Sequence, residues 1–145
     1  VSLIFTEAKR GLLAGDIDLD ANDIRVALCM TNSTIGNAGT EDVTNLGGLV
    51  LDEMDGAGYA RQVLAAKVVT ADNPNNRGLF DANDSTFAAL GAGTRQIKGA
   101  LVYKHVGADA VNVPIAWFDA APFPFAANGT DLILRWNAAG ILAAT

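Results

Sequence analysis

Between Gln96 and Trp136 the chain runs QIKGALVYKHVGADAVNVPIAWFDAAPFPFAANGTDLILRW, and this stretch holds both tryptophans, Trp117 and Trp136. Three apolar segments lie in it between obvious turns. Apolar runs of this length, bounded by Gly, Pro, Asn and Asp, are strand signals. Ile97, Leu101, Val102 and Val106 mark the first strand. Gly107-Ala108-Asp109 turns the chain, and Val111 to Phe118 returns it. Pro114 sits inside the return strand and has no N–H for a ladder, so that strand needs an edge position or a bulge. Pro122 to Phe125 is a rigid apolar connection. Asn128-Gly129-Thr130-Asp131 turns again, and Leu132, Ile133, Leu134 and Trp136 give a strand expected to be buried.

The rest of the chain repeats this short-period pattern. Residues 3–14 have helical spacing, with Ile4, Ala8 and Leu12 four apart, Ser2 placed to cap the start and Gly15 the end. Ile24–Thr31 is a strand between turn residues. Residues 32–48 form a polar Gly/Asn/Thr loop, long enough to be functional, an interaction surface or mobile. Residues 49–55 are ambiguous between a helical turn and an edge strand. Tyr59–Val69 reads as one strand and Ala71–Gly78 as a turn. Phe80–Leu90, FDANDSTFAAL, echoes the earlier LDANDIRVAL, and the echo is best explained by one local turn solution used twice. The tail GILAAT adds a short strand.

About seven strands at short spacing, one N-terminal helix and no alternating βαβ order predict a mainly β protein. The expected architecture is an antiparallel β-sandwich or barrel. The 145 residues fit one domain, with 1–15 as a helical arm or packing helix and 16–145 as the β-domain.

Composition narrows the function classes. Half the residues are hydrophobic and 18% are charged, too apolar for a disordered chain. No apolar run reaches the length of a membrane span. Glu7, Lys9 and Arg10 interrupt the opening segment, so no secretory leader is expected there. A net charge of -6 argues against a nucleic-acid partner, since phosphate neutralisation needs clustered Lys and Arg. One cysteine, Cys29, excludes an internal disulfide framework and sits in an apolar run as an inert buried thiol.

Each candidate for chemistry fails on its own terms. Asp16, Asp18, Asp20 and Asp23 alternate like a calcium loop, but the positions that need Gly and Glu are Ala21 and Ala27. An Asx-type turn fits better. Gly91-Ala92-Gly93-Thr94 lacks the Gly-Lys-Ser/Thr ending of a phosphate loop. His105 has no neighbouring Cys and reads as a strand-end or interface residue. Asp52-Glu53 and Glu41-Asp42 would face opposite sides of a strand, which leaves them poorly placed as acid–base pairs. No catalytic residue, metal ligand or cofactor is assigned. Arg61, Arg95 and Arg135 are single bases beside apolar strands, read either as interface anchors or as surface cations.

The order of these segments carries a resemblance. A helix leads into GDIDL and the strand IRVAL (24–28). YARQ (59–62), FDANDSTFAAL (80–90), GALVYKHVG (99–107), PIAWFD (114–119), NGTDLILRW (128–136) and a terminal Gly140-Ile141 follow. This order resembles a group of small virion proteins of tailed bacteriophages, over nearly the whole chain. The resemblance implies a non-enzymatic structural particle protein, above all a capsid decoration (cement) protein on the outer surface of the capsid. Its implied partners are the major capsid protein and itself, as a trimer, with no nucleic acid and no membrane. A tail or neck component of the same phage, or a host-binding adhesin-like domain using Trp117, Tyr103 or Tyr59, are the alternatives. Leu3, Phe5, Lys9, Arg10, Ile35, Val43, Leu46, Phe123 and Phe125 are the candidate interface residues, drawn from the N-terminal helix, the 32–48 loop and the Pro-Phe segment.

Overall fold

A computed structural model describes residues 3–145 of the chain. Ser2, the expected helix cap, lies outside the described residues. In chain order the elements are β1 (Leu3–Ile4), α1 (Thr6–Ala14), β2 (Ile24–Met30), β3 (Gln62–Val63), β4 (Val68–Asp72), β5 (Arg77–Asp81), β6 (Ser85–Phe87), β7 (Ile97–Lys104), β8 (Val113–Phe118), β9 (Leu132–Leu134) and β10 (Leu142–Ala144). They form a five-stranded sheet β1-β8-β7-β2-β3, a three-stranded sheet β10-β5-β4 and a two-stranded ribbon β6-β9. Every pairing is antiparallel. The fold is therefore mainly β with one α-helix, as the turn spacing predicts. The large sheet ends in β1 and β3 and does not close into a barrel; the arrangement is sandwich-like.

The Gln96–Trp136 stretch supplies the middle of the large sheet. β7 is flanked by β2 and β8, and its residues from Gly99 to Tyr103 are buried on both faces. A central strand must be apolar throughout, which is why GALVY has no alternation. Trp117 is fully buried and donates from Nε1 to Asp119 Oδ2 at 2.9 Å, so its one polar atom is satisfied. Gly99 makes room for it: a Cβ there would stand 2.5 Å from Trp117 Cζ2 and 2.5 Å from the Phe118 carbonyl oxygen. Phe80, Phe87 and Leu142 from the smaller sheets, and Ile141 just before β10, join the same core.

Pro114 resolves through the bulge rather than the edge. β8 lies between β1 and β7, and the register slips so that Ala116 faces Val102 while Pro114 faces Tyr103. Ile115 is the extra residue, and its carbonyl accepts from Phe5 N at 3.0 Å. Phe5 is also where strand pairing gives way to helix, because its own carbonyl accepts from Lys9 N at 3.1 Å.

Several local expectations are corrected. The helix starts at Thr6, not residue 3, because Leu3 and Ile4 pair with Trp117 and Ala116 on the β8 edge. Its cap position is Phe5, which makes no side-chain cap; Gly15 closes the end in the left-handed conformation at φ 77°. Tyr59–Val69 is two strands, since Ala66 takes φ 51° and breaks the extended backbone between β3 and β4. Ala71–Gly78 is a β-hairpin, with the turn confined to Asn73–Asn76. The two Asp-Ala-Asn-Asp copies do different jobs. In the first, Asp18 Oδ1 accepts from Ala21 N and Asn22 Oδ1 from Asp18 N, an Asx-type turn. In the second the chain stays extended, with Asn83 N bonded to Ala65 O and Asp84 Oδ1 to Trp136 N. β9 is half-exposed rather than buried, because it pairs only with β6.

Candidate interaction surface

The N-terminal helix is held to its own domain. Ala8 and Gly11 form its buried face, and a Cβ on Gly11 would meet the Ile17 side chain at 2.7 Å. Thr6 donates to Asp42 Oδ1 at 3.0 Å, tying the helix to the 32–48 loop. Arg10 is taken up by Glu7 at 2.6 Å and Asp16 at 2.8 Å.

The other side of the helix is left uncovered. Leu12 and Leu13 are exposed, Leu13 to 91%. Across from them lies the groove-facing side of the three-stranded sheet, with Val69, Gly78, Phe80, Leu142 and Ala144. These residues share a face because Val69 pairs with Phe80 and Phe80 with Leu142, while Ala144 pairs with Gly78. Between helix and sheet runs an apolar groove of about 630 Å³, whose lining also includes Ile4, Leu19, Leu79 and the exposed Lys9. The sheet is thin here. β4 is the last strand of its sheet, and Val68, Val69, Thr70 and Ala71 are all exposed. Apolar surface this contiguous, rimmed by a polar group, is the usual mark of an interaction site.

The predicted interface residues divide three ways. Phe5, Ile35 and Leu46 belong to the core, so the fold gives them no surface to offer a partner. They are apolar residues in loop-like surroundings that the loops themselves cover: Ile35 is enclosed where Lys98 donates to the carbonyls of Ser33 and Ile35, at 2.8 and 2.9 Å. Leu46 N donates to Asn112 O at 3.0 Å. Leu3, Val43, Phe123 and Phe125 are half-buried, and the two phenylalanines stack on each other with centroids 5.2 Å apart. Lys9 and Arg10 are exposed on α1, and of the nine only Lys9 borders the groove. Leu12, Leu13, Val69 and Leu79, which line the groove, are not among the nine; for Leu12 and Leu13 the sequence signal is an apolar pair on a helix that already has another buried face.

Polar groups elsewhere are organised inward. Arg61 bridges Glu53 and Asp109 at 2.6 Å each, donates to the Tyr103 hydroxyl at 3.4 Å and lies over the Tyr103 ring. The hydrogen bonds from Arg61 hold the Asp109 carboxyl below the usual carboxylate range. Tyr59 donates to Glu53 at 2.8 Å and accepts from Leu28 N at 3.1 Å; burial pushes its phenol up. Asp52 points the other way, to Arg95 and to Asn32 N, so the adjacent acids Asp52 and Glu53 do face opposite sides. Arg61 and Arg95 are thus fixed within the chain, while Arg135 makes only a 3.9 Å contact to Asp84. His105 is half-buried with N bonded to Asp23 O, and among the described residues its Nδ1 has no hydrogen-bond partner. Burial raises the Cys29 thiol far above its ordinary range. Among the described residues no cluster of three or more His, Cys, Asp or Glu could hold a metal, and no helix is long and apolar enough to cross a membrane.

Of the nine exposed large apolar residues among those described, Leu12, Leu13, Val68 and Val69 gather at the groove and the β4 edge, while Val50, Val63, Val106, Val111 and Ile133 are spread elsewhere. Trp117 and Tyr103 are fully buried and cannot form the exposed aromatic platform an adhesin site needs. Comparison with protein-family models, with curated proteins and with solved structures finds no match to this chain.

Proposed function

We propose that this chain is a structural protein of a tailed-phage particle, acting as a capsid decoration protein bound to the outside of the major capsid shell. The observation that carries the reading is the uncovered apolar groove between α1 and the three-stranded sheet. It is an interaction surface on a domain whose six arginines all take part in internal ion pairs. The phage assignment itself rests on the ordered motifs from IRVAL to NGTDLILRW. A decoration protein needs a rigid β-domain, an acidic exterior that avoids packaged DNA, and a surface that grips the shell. The groove and the Lys9 rim are the proposed grip on the shell.

The test is quantitative mass spectrometry of purified virions, expressed as copies per major capsid protein. A ratio near one supports decoration of the whole shell. A few dozen copies or fewer overturn it in favour of a tail or neck component. Absence from the particle removes the virion reading altogether.

A further inference from the structure

The free edge of β4 is the longest unpaired strand edge among the described residues: five residues, against three or fewer in β1, β3, β6, β9 and β10. Such edges are templates for further strand pairing, and proteins ordinarily guard them with Lys, Pro, bulges or a covering loop. β4 has none of these guards. Its sequence is Val68-Val69-Thr70-Ala71-Asp72, its pairing with β5 is without a bulge, and its first four residues are exposed. Val68 and Val69 lie on opposite faces and are 44% and 50% exposed. Lys67, the nearest base, does not shield the edge, because its ammonium is turned inward to the Asn22 carbonyl. Asp72, the one charge in the strand, is tied to Arg77 at 2.7 Å.

We propose that β4 pairs antiparallel with β4 of a second copy of this chain about a two-fold axis at Thr70, making a continuous six-stranded sheet. A two-fold edge contact keeps each face of the sheet continuous with the same face of its partner. Only residues of like parity can then stand opposite one another. Centring on Thr70 is the register that pairs all five residues; moving the axis to Val69 draws in Ala66, whose φ of 51° ends the extended backbone. In the Thr70 register, Val69 faces Ala71 of the second copy and Thr70 faces Thr70. The groove-side row reads Leu142, Phe80, Val69, then Ala71, Gly78 and Ala144 of the copy, following each sheet's own register. The opposite row reads Ala143, Leu79, Thr70 and their mirror sequence. Neither row carries a charge. The end pairs set Val68 against Asp72 of the copy, a carboxylate already held by Arg77 of its own chain. A chain of net charge -6 repels itself over most of its surface, so an edge with no unpaired charge is where two copies meet at least cost. The second copy, rather than an unlike peptide, is the occupant because the match is with the strand's own sequence.

The contact goes beyond the capsid reading and stands without it, since it concerns the purified chain alone. Sedimentation equilibrium of the full chain over a wide concentration range should show a monomer–dimer equilibrium. Thr70→Lys sets two ammonium groups face to face at the axis and should weaken dimerisation by at least about tenfold, with unchanged circular dichroism. Thr70→Cys should form an oxidised, disulfide-linked dimer, because directly opposed residues bring Cβ atoms within about 5.5 Å. Val63→Cys, exposed on β3, serves as the collision control. A strictly monomeric chain with no Thr70→Cys cross-link overturns the proposal. So does a dimer or trimer that Thr70→Lys leaves intact, which would place self-association elsewhere. Virion copy number is untouched by either result, so the two readings fail separately.

Discussion

Gly99 and Gly78 are both strand glycines, and the structure predicts opposite outcomes for the same substitution. Gly→Ala in a strand ordinarily gains about 0.4–1 kcal/mol from the reduced freedom of the unfolded chain. At Gly78 nothing lies within 4 Å of the new methyl, so Gly78→Ala should show that gain. At Gly99 the methyl would sit 2.5 Å from a backbone carbonyl and from the indole of Trp117, where ordinary contact begins at 3.4 Å. Neither neighbour yields easily: the carbonyl belongs to the central sheet, and the indole is fully buried with its N–H bonded to Asp119. Overpacking of this kind costs about 1–3 kcal/mol, and the rigid surroundings place it near the upper end. The net for Gly99→Ala is a loss of about 2 kcal/mol, or roughly 6–8 °C in Tm for a chain of this length. Thermal denaturation followed by near-UV circular dichroism of Trp117 gives both values side by side. If the two substitutions shift Tm in the same direction, the close approach of β7 to Trp117 is wrong and so is the reasoning that puts that ring at the centre of the core.

Three further outcomes follow from the polar groups and the groove. Arg61→Met leaves Glu53 and Asp109 without their shared cation and should cost about 2 kcal/mol in urea unfolding, less than the ~3–5 kcal/mol of a fully buried pair because these side chains stay partly in water. The Asp109 carboxyl is held low in the folded state, so its contribution is present above about pH 4 and is lost as pH falls through the lower folded value; an acid titration of stability should be shallower in Arg61→Met than in the parent. Cys29, buried and with its thiol raised, should resist alkylation at neutral pH until denaturant is added, and rapid labelling of the native chain would contradict its burial. Leu13→Asp should leave Tm within about 1 °C, because the side chain is 91% exposed, yet reduce retention on particles if the groove is the grip; equal retention would move the contact elsewhere.

Sequence reading succeeded where one strand's burial determined its residues. GALVY and PIAWF announce β7 and β8 because both faces of a central strand must be apolar, and Gly15 and Asn128-Gly129 mark their turns by chemistry alone. It failed where tertiary pairing overrode local preference. Leu3 and Ile4 fit a helix by spacing, but the open edge of β8 recruits them as a strand. Nothing in Ala66 signals its left-handed backbone, so the break between β3 and β4 was hidden. Leu132–Leu134 are as apolar as β7, yet a strand in a two-stranded ribbon keeps one face in water. Phe5, Ile35 and Leu46 stand in arm and loop segments that suggest surface, yet all three are buried. The groove arises between α1 and the β10-β5-β4 sheet, residues far apart in the chain, and no local pattern records that proximity.

The extra residue at Ile115 has a structural consequence for the groove. At Pro114, which cannot donate, the register of β8 against β7 slips, while on the other side the β1 ladder runs on unbroken and Phe5 N donates to the Ile115 carbonyl. That one bond fixes both the last pairing of β1 and the first turn of α1. The helix is thereby indexed to the central sheet. Deleting Ile115 would draw the helix origin along the sheet by one residue, about 3.3 Å, and the groove wall formed by Leu12 and Leu13 would travel with it. A proline that looks like a defect in a strand stands, in this fold, one residue before the carbonyl that anchors the helix.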